Sequence, residues 1–365
     1  MGIKRDIVNA ANKIIQLLAT MWVARVYYMD MSETSMELYF TILAISPLKT
    51  VADLGAGTTF RDNVSNTNPM LAFSEYLSKI VVSYFSLFPF LVFSLKLDLV
   101  TLCIFSILYL MWVFQSANMF YVALGKHHFS AYIDTLAILF GIFISLIAKY
   151  NGYQNIIVIF LFFASQCLIY LYFFLRLPGI YEIKLRPKLQ LNLNALMFQV
   201  YIFLIPTMIL YEVLYFNKNI DITNYSIQSK IYTIIFMGIT VFGSSIWADI
   251  QHNNLYNYSK TKITFLSISC VLFNLLAFHF SQIFIGYWIG DFESNIRLNL
   301  LLALYFAISS LTYLVAIYIK ALKININYVL LVALMSLVML SGNPSLALAA
   351  ITFVLIYNLI RLVFK

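Results

Sequence analysis

Apolar residues fall into twelve stretches of roughly twenty residues each, parted by short segments rich in Lys, Arg, Asn, Pro and Gly. A helix rises 1.5 Å per residue, so about twenty apolar residues cross the ~30 Å hydrocarbon core of a bilayer. The pattern predicts helices near 7–28, 37–54, 73–95, 98–122, 130–149 and 154–175, then near 194–216, 226–249, 262–285, 296–320, 326–341 and 345–364. Polar residues dilute the first two, and the eleventh is short. The runs are continuous, whereas a membrane barrel needs alternating segments of about ten residues. Helices, which satisfy their own backbone groups in lipid, are what remains.

Composition closes off the soluble classes. Hydrophobic residues make up 62% of the chain and charged residues 10%, against about a quarter charged in soluble domains, so a water-facing surface could not be covered. The predicted fold class is an all-α integral membrane protein of about 12 transmembrane helices in two six-helix lobes around a central cavity. Cys103, Cys167 and Cys270 fall in three different spans without short spacing, and are read as small hydrophobes rather than metal ligands or a disulfide. His127 and His128 are adjacent in a connecting loop, which suits no helical metal pair, so neither a metal nor a cofactor is expected. Residues 1–6 carry no myristoylation signal, because Asp6 stands where Ser or Thr is needed. Lys13 and Gln16 would interrupt the apolar core of a secretory signal, and Arg25 follows in place of a small-residue cleavage site, so the first helix is expected to stay.

Lys and Arg resist translocation, and their distribution sets topology. Of the 23, fifteen lie at the termini and in alternate loops, from Lys4 and Arg5 to Arg361 and Lys365. The opposite loops and adjoining helix ends hold five, namely Lys96, Lys149, Lys218, Lys230 and Arg297, and Lys13, Arg25 and Lys49 lie within spans. This bias puts both termini in the cytoplasm. The net charge of +8 reflects contact with anionic inner-leaflet lipid rather than nucleic acid.

The longest interruption is the basic stretch Arg176 to Leu193, with Pro178, Gly179 and Pro187, and it falls at the midpoint. The expected organisation is an N-terminal six-helix lobe over 1–176, a cytoplasmic linker over 177–193 and a C-terminal six-helix lobe over 194–365. This is the parallel-repeat plan of many transporters. Val51-Ala52-Asp53 with Asn63 beyond, and Trp247-Ala248-Asp249 with Asn253 beyond, form a faint echo between the lobes.

A polar face inside a bilayer must meet water or another helix. On helix 1, Asn9, Lys13, Gln16 and Thr20 recur at spacings of four, three and four and share one face. Two readings stand: helix packing through hydrogen bonds, or a cavity wall where Lys13 meets an anionic substrate. Arg25 lies off that face near the outer end, where snorkelling to headgroups explains it more simply than ligand duty. Lys49 precedes Asp53 by four residues, at ion-pair spacing, after the kink expected at Pro47. That lysine is either neutralised or a cavity cation, and Asp53 is a candidate for ion coupling.

Glu212 on helix 7 shares a face with Asn194, Tyr201, Ile205, Met208 and Tyr215, with Pro206 nearby. It reads either as the salt-bridge partner of Lys230, which begins helix 8, or as a protonatable carboxylate coupling proton movement to transport. Asp134 falls in the first turn of helix 5, where the helix dipole favours a carboxylate, and is read as structural. Gly55 and Gly57 lack the preceding strand of a phosphate-cradling loop.

The run from Ile42 to Ser65, with Asp53, Leu54, Gly55, Gly57, Arg61 and Asn63, resembles the end of helix 2 in Wzx-type polysaccharide flippases, here with Asp62 inserted between the last two. The stretch Ile222 to Asn253, with Tyr225, Lys230, Ile246, Trp247 and Ala248, is similar to that family's helix 8, and Ala123-Leu124-Gly125-Lys126 to its loop before helix 5. The family shares a superfamily with multidrug exporters. The resemblance implies a non-enzymatic carrier that turns undecaprenyl-diphosphate-linked oligosaccharide to the periplasmic leaflet for O-antigen or a related lipopolysaccharide or surface polysaccharide. It also implies possible work alongside a polymerase and a chain-length regulator. The chain is short for that family.

A diphosphate needs a polar, preferably cationic, path through hydrocarbon, which Lys13, Lys49, Lys230 and, less simply, Arg25 could supply. The lobes would rock against each other, with Pro47 and Pro206 as bending points. A membrane polysaccharide polymerase would be expected to carry a long periplasmic loop, and none of the outward loops exceeds about a dozen residues. A multidrug or ion antiporter of the same fold is the other alternative.

Overall fold

The computed structural model describes residues 56–63, 68–95, 99–124, 126–182, 192–211, 222–253, 256–289 and 295–363, with residues 11, 12, 14, 15, 18 and 21. Every regular element among them is helical: α1 (Ala56–Asn63), α2 (Pro69–Leu95), α3 (Leu99–Phe114), α4 (Ser116–Ala123), α5 (His127–Tyr150), α6 (Asn155–Leu175), α7 (Leu193–Tyr211), α8 (Ile222–Asn253), α9 (Tyr256–Ile289), α10 (Ile296–Ala321), α11 (Tyr328–Met339) and α12 (Pro344–Val363). Seven described spans are long and apolar enough to cross a membrane, α3 and α4 joining in one of them over Leu102–Val122. The fold is therefore an all-α membrane protein.

Local chemistry sets the helix ends. The Asn295 side chain accepts the Leu298 N–H at 3.1 Å, and Asn327 accepts the Leu330 N–H at 3.1 Å, each satisfying a donor that the first turn leaves without an intrahelical partner. Gly152, at φ +75°, turns the chain out of α5 in a conformation that costs other residues more.

Two starts differ from the sequence expectation. Helix α5 opens at His127, so His127 and His128 lie in its first turn rather than in a loop, and Asp134 lies about two turns inside it. The dipole argument for Asp134, which acts within the first turn, is therefore withdrawn. Helix α8 opens at Ile222, which places Lys230 more than two turns inside the helix instead of at its start.

The chain divides into two compact units, Met1–Gln199 and Val200–Lys365. In the first, α5 packs along α6, α3 packs on α6, and Phe73, Ile104, Ile133 and Ile159 are fully buried between them. In the second, α10 is the central helix, packed by α8, α9 and α12. Burial separates their roles: 67% of the α10 span is buried, against 17% of the α9 span, which leaves most of α9 to lipid. Hydropathy alone does not distinguish them, because the polar residues of α10, Asn299, Ser309, Ser310 and Thr312, are buried within the unit.

Candidate functional site

The first unit carries an open cavity of about 400 Å³ among α2, α3, α4, α5 and α6. Its polar lining consists of one carboxylate, Asp134, three amides, Gln115, Asn118 and Gln166, and the Ser116 hydroxyl; its aromatic lining is Tyr76, Tyr84, Trp112 and Tyr170. Such a volume sits at the lower end of the roughly 300–1,000 Å³ of small-molecule sites.

The junction of α3 and α4 supplies much of this. Gln115 follows the last residue of α3, and the Asn118 N–H bonds the Gln115 carbonyl three residues back at 2.9 Å, a tightening that brings Gln115, Ser116 and Asn118 together on the cavity. The Asn118 amide then donates to Asp134 Oδ1 at 2.6 Å, and the Tyr170 hydroxyl donates to the same oxygen at 2.8 Å. Gln115 hydrogen-bonds the Tyr170 oxygen in turn. One carboxylate thus orients groups from α4, α6 and the α3–α4 junction. Two donors on one carboxyl oxygen tie these elements to each other, so this cluster fixes the geometry of the wall.

Across the cavity, Tyr84 and Trp112 lie with ring centroids 6.1 Å apart, and Tyr109 supports Tyr84 edge-on at 5.1 Å. Gly141 explains how α5 and α6 come close beside it. A Cβ there would sit 3.0 Å from Gln166 Cγ and 3.0 Å from the Phe162 ring. The Ser116 hydroxyl and the Asn118 carbonyl oxygen are buried and have no hydrogen-bond partner among the described residues. None of the described lining residues is Lys, Arg or His. The described wall offers a polar guest three amides and one carboxyl group.

Of the residues expected from sequence, Asn9, Lys13, Gln16, Thr20, Arg25, Lys49, Asp53 and Glu212 lie outside the described residues. Lys230 is described: it is partly buried on α8 in the second unit. Of the face assigned to Glu212, Tyr201, Ile205 and Met208 are fully buried in that unit's core. The Thr135 hydroxyl, next to Asp134, lies 3.5 Å from the Asn12 carbonyl, which brings helix-1 backbone alongside α5. No cluster of three metal-ligating side chains exists among the described residues.

The cavity cluster itself was not foreseen. Gln115 and Asn118, three apart, and Gln166 and Tyr170, four apart, are polar residues inside apolar spans, the same signal that singled out helix 1.

No protein-family model matches this sequence, and no curated protein matches it. Solved structures do. The chain is similar to a multidrug resistance MATE family transporter of the MOP superfamily in an outward-facing conformation, with a TM-score of 0.63 and 14% identity, over 98% of this chain and 94% of that one. It is also similar to a MATE crystallised in complex with MaD5, with a TM-score of 0.62 and 11% identity, over 99% and 94% of the two chains. Nearly the whole length of this protein thus follows the fold of the MATE transporters.

Proposed function

We propose that this protein is a membrane carrier that moves undecaprenyl-diphosphate-linked oligosaccharide repeat units from the cytoplasmic to the periplasmic leaflet by alternating access. The observation that carries the carrier reading is the likeness of 98% of the chain to a transporter fold. The cargo is suggested by the resemblance around Asp53-Leu54-Gly55 and along Ile222 to Asn253. Protein groups carry the work and no covalent step is required. Cationic groups, with Lys13, Lys49, Lys230 and Arg25 as candidates, neutralise the diphosphate, and the polyprenyl tail stays in lipid. Polymerase and chain-length regulator are its proposed partners, the bacterial inner membrane its site, and the cytoplasm the side of both termini.

A second reading, antiport of organic cations, is favoured by one observation: Asp134 stands among four aromatic residues in a cavity with no basic residue among its described lining. A deletion strain separates the two. Loss of surface polysaccharide with lipid-linked single repeat units held on the cytoplasmic face supports the oligosaccharide carrier. Drug hypersensitivity with intact polysaccharide supports the antiporter and removes the first reading.

A further inference from the structure

We propose that the cavity of the first unit is a carbohydrate subsite, which takes one end of the oligosaccharide while the diphosphate is held elsewhere. The inference rests on the carrier reading and names the part of the cargo that this cavity fits.

Its lining is the argument. Sugar hydroxyls are at once donors and acceptors, and the amides of Gln115, Asn118 and Gln166 offer both kinds of group. An organic cation needs a carboxylate and aromatic faces but has no use for three amides. The carboxylate of Asp134 is already held by Asn118 and Tyr170, so it presents a fixed acceptor to a hydroxyl pair. Trp112 and Tyr84 are almost wholly buried and braced by Tyr109, so this side of the wall is set before a guest arrives. Two oxygens, Ser116 Oγ and Asn118 Oδ1, are left without a partner among the described residues. A buried polar atom in that state is costly, and a small side-chain shift around a hydroxyl-bearing guest would satisfy it. The described lining offers the diphosphate no cation.

The test uses the full chain in lipid nanodiscs and saturation-transfer difference NMR. The probes are a panel of free hexoses, N-acetylhexosamines and 6-deoxyhexoses, with tetraphenylphosphonium and inorganic pyrophosphate alongside. The expected result is saturation of the ring protons of at least one sugar, undisturbed by pyrophosphate. Gln115→Ala and Asp134→Asn should each weaken that sugar about tenfold, the loss of one well-made hydrogen bond. Gln115→Asn, which keeps the amide but shortens its reach, guards against a variant that fails to fold, and melting curves check all three. Tetraphenylphosphonium binding with no sugar binding would overturn the proposal in favour of an organic-cation site. Binding of neither, or sugar binding unchanged in the variants, would overturn it outright. The carrier reading is tested apart from this: a deletion strain complemented with Gln115→Ala that makes normal polysaccharide removes the subsite and leaves the carrier standing.

Discussion

Tyr170 on α6 donates its hydroxyl to Asp134 on α5 at 2.8 Å, and so ties two membrane spans together at the wall of a cavity that both of them line. Asn118, donating to the same oxygen at 2.6 Å, adds α4 to that tie. Removing the Tyr170 hydroxyl leaves packing nearly unchanged but loses one interhelical hydrogen bond. Tyr170→Phe should cost about 1 kcal/mol of stability, the usual scale for interhelical hydrogen bonds in membranes. Under the proposed carrier function its larger effect should be on transport, because the carboxyl group loses one of its two named orienting donors. In a complemented deletion strain, surface polysaccharide normalised to protein level should fall severalfold. Normal polysaccharide with a lowered melting temperature would assign the bond to packing alone.

Gly243 on α8 sets the approach of α8 to α10. A Cβ at that position would lie 2.5 Å from Cε1 of Tyr313, a ring itself held edge-on by Phe236 at 5.7 Å. Gly243→Ala should therefore destabilise the second unit by about 1–3 kcal/mol, the cost of overpacking, even though alanine is the better helix former. Combining it with Tyr313→Leu should recover part of the loss, and thermal unfolding of the four variants in detergent measures the coupling. Simple additivity would mean that the two residues do not touch in the folded protein.

The spans were legible because hydropathy and caps act locally. The tenth helix, expected over 296–320, runs from Ile296 to Ala321 because Asn295 caps it, and the twelfth, expected over 345–364, runs from Pro344 to Val363. The fifth was placed three residues late, since two adjacent histidines look like a loop and in fact open the helix. That small error misassigned Asp134. Its partners lie 16 and 36 residues away in sequence, on other helices, and no spacing along one helix reveals them. The polar residues of α3, α4 and α6 were visible as exceptions in apolar runs, but which of them converge depends on how the helices pack. The expectations for helices 1 and 2, Lys13 and Lys49 among them, fall outside the described residues.

Asn299 joins three helices of the second unit. It accepts from the Tyr232 hydroxyl on α8 and donates to Ser281 Oγ on α9 at 2.7 Å from its own place on α10. Asn299→Ala would leave both partners buried without their bond, and should cost about 1–2 kcal/mol. Asn299→Leu, which fills the space but pairs with neither, should cost no less. Equal melting temperatures for wild type and Asn299→Leu would show that apolar packing can replace the network without loss.

Lys13 carries the cationic-path expectation in its simplest form, since it is the charged member of the Asn9, Gln16 and Thr20 face. A lysine that neutralises a phosphate should be irreplaceable by a neutral residue and partly replaceable by arginine, which keeps the charge but changes its shape. Lys13→Ala should impair surface polysaccharide without lowering protein level, and Lys13→Arg should restore part of it. Full polysaccharide in Lys13→Ala would take that residue out of the mechanism.

Pro206 removes a backbone donor from α7, and the neighbouring carbonyl is engaged sideways: Ile205 O accepts from the Tyr305 hydroxyl at 2.7 Å and from Ser309 Oγ at 3.1 Å, both on α10. Pro206 leaves the Ile202 carbonyl, four residues back, without its helical donor, while the two hydroxyls fasten the adjacent Ile205 turn of α7 to α10. If the break serves as a bending point, its two effects separate. Pro206→Ala restores the N–H and should hold or raise the melting temperature while slowing transport, because a continuous helix resists bending. Tyr305→Phe with Ser309→Ala should do the reverse to stability, losing about 1–2 kcal/mol as the carbonyl loses both hydroxyl partners. The deciding measurement is polysaccharide output in Pro206→Ala at wild-type protein level. Undiminished output would mean that α7 works as a rigid strut, and that the two hydroxyls on α10 serve only to fasten it in place.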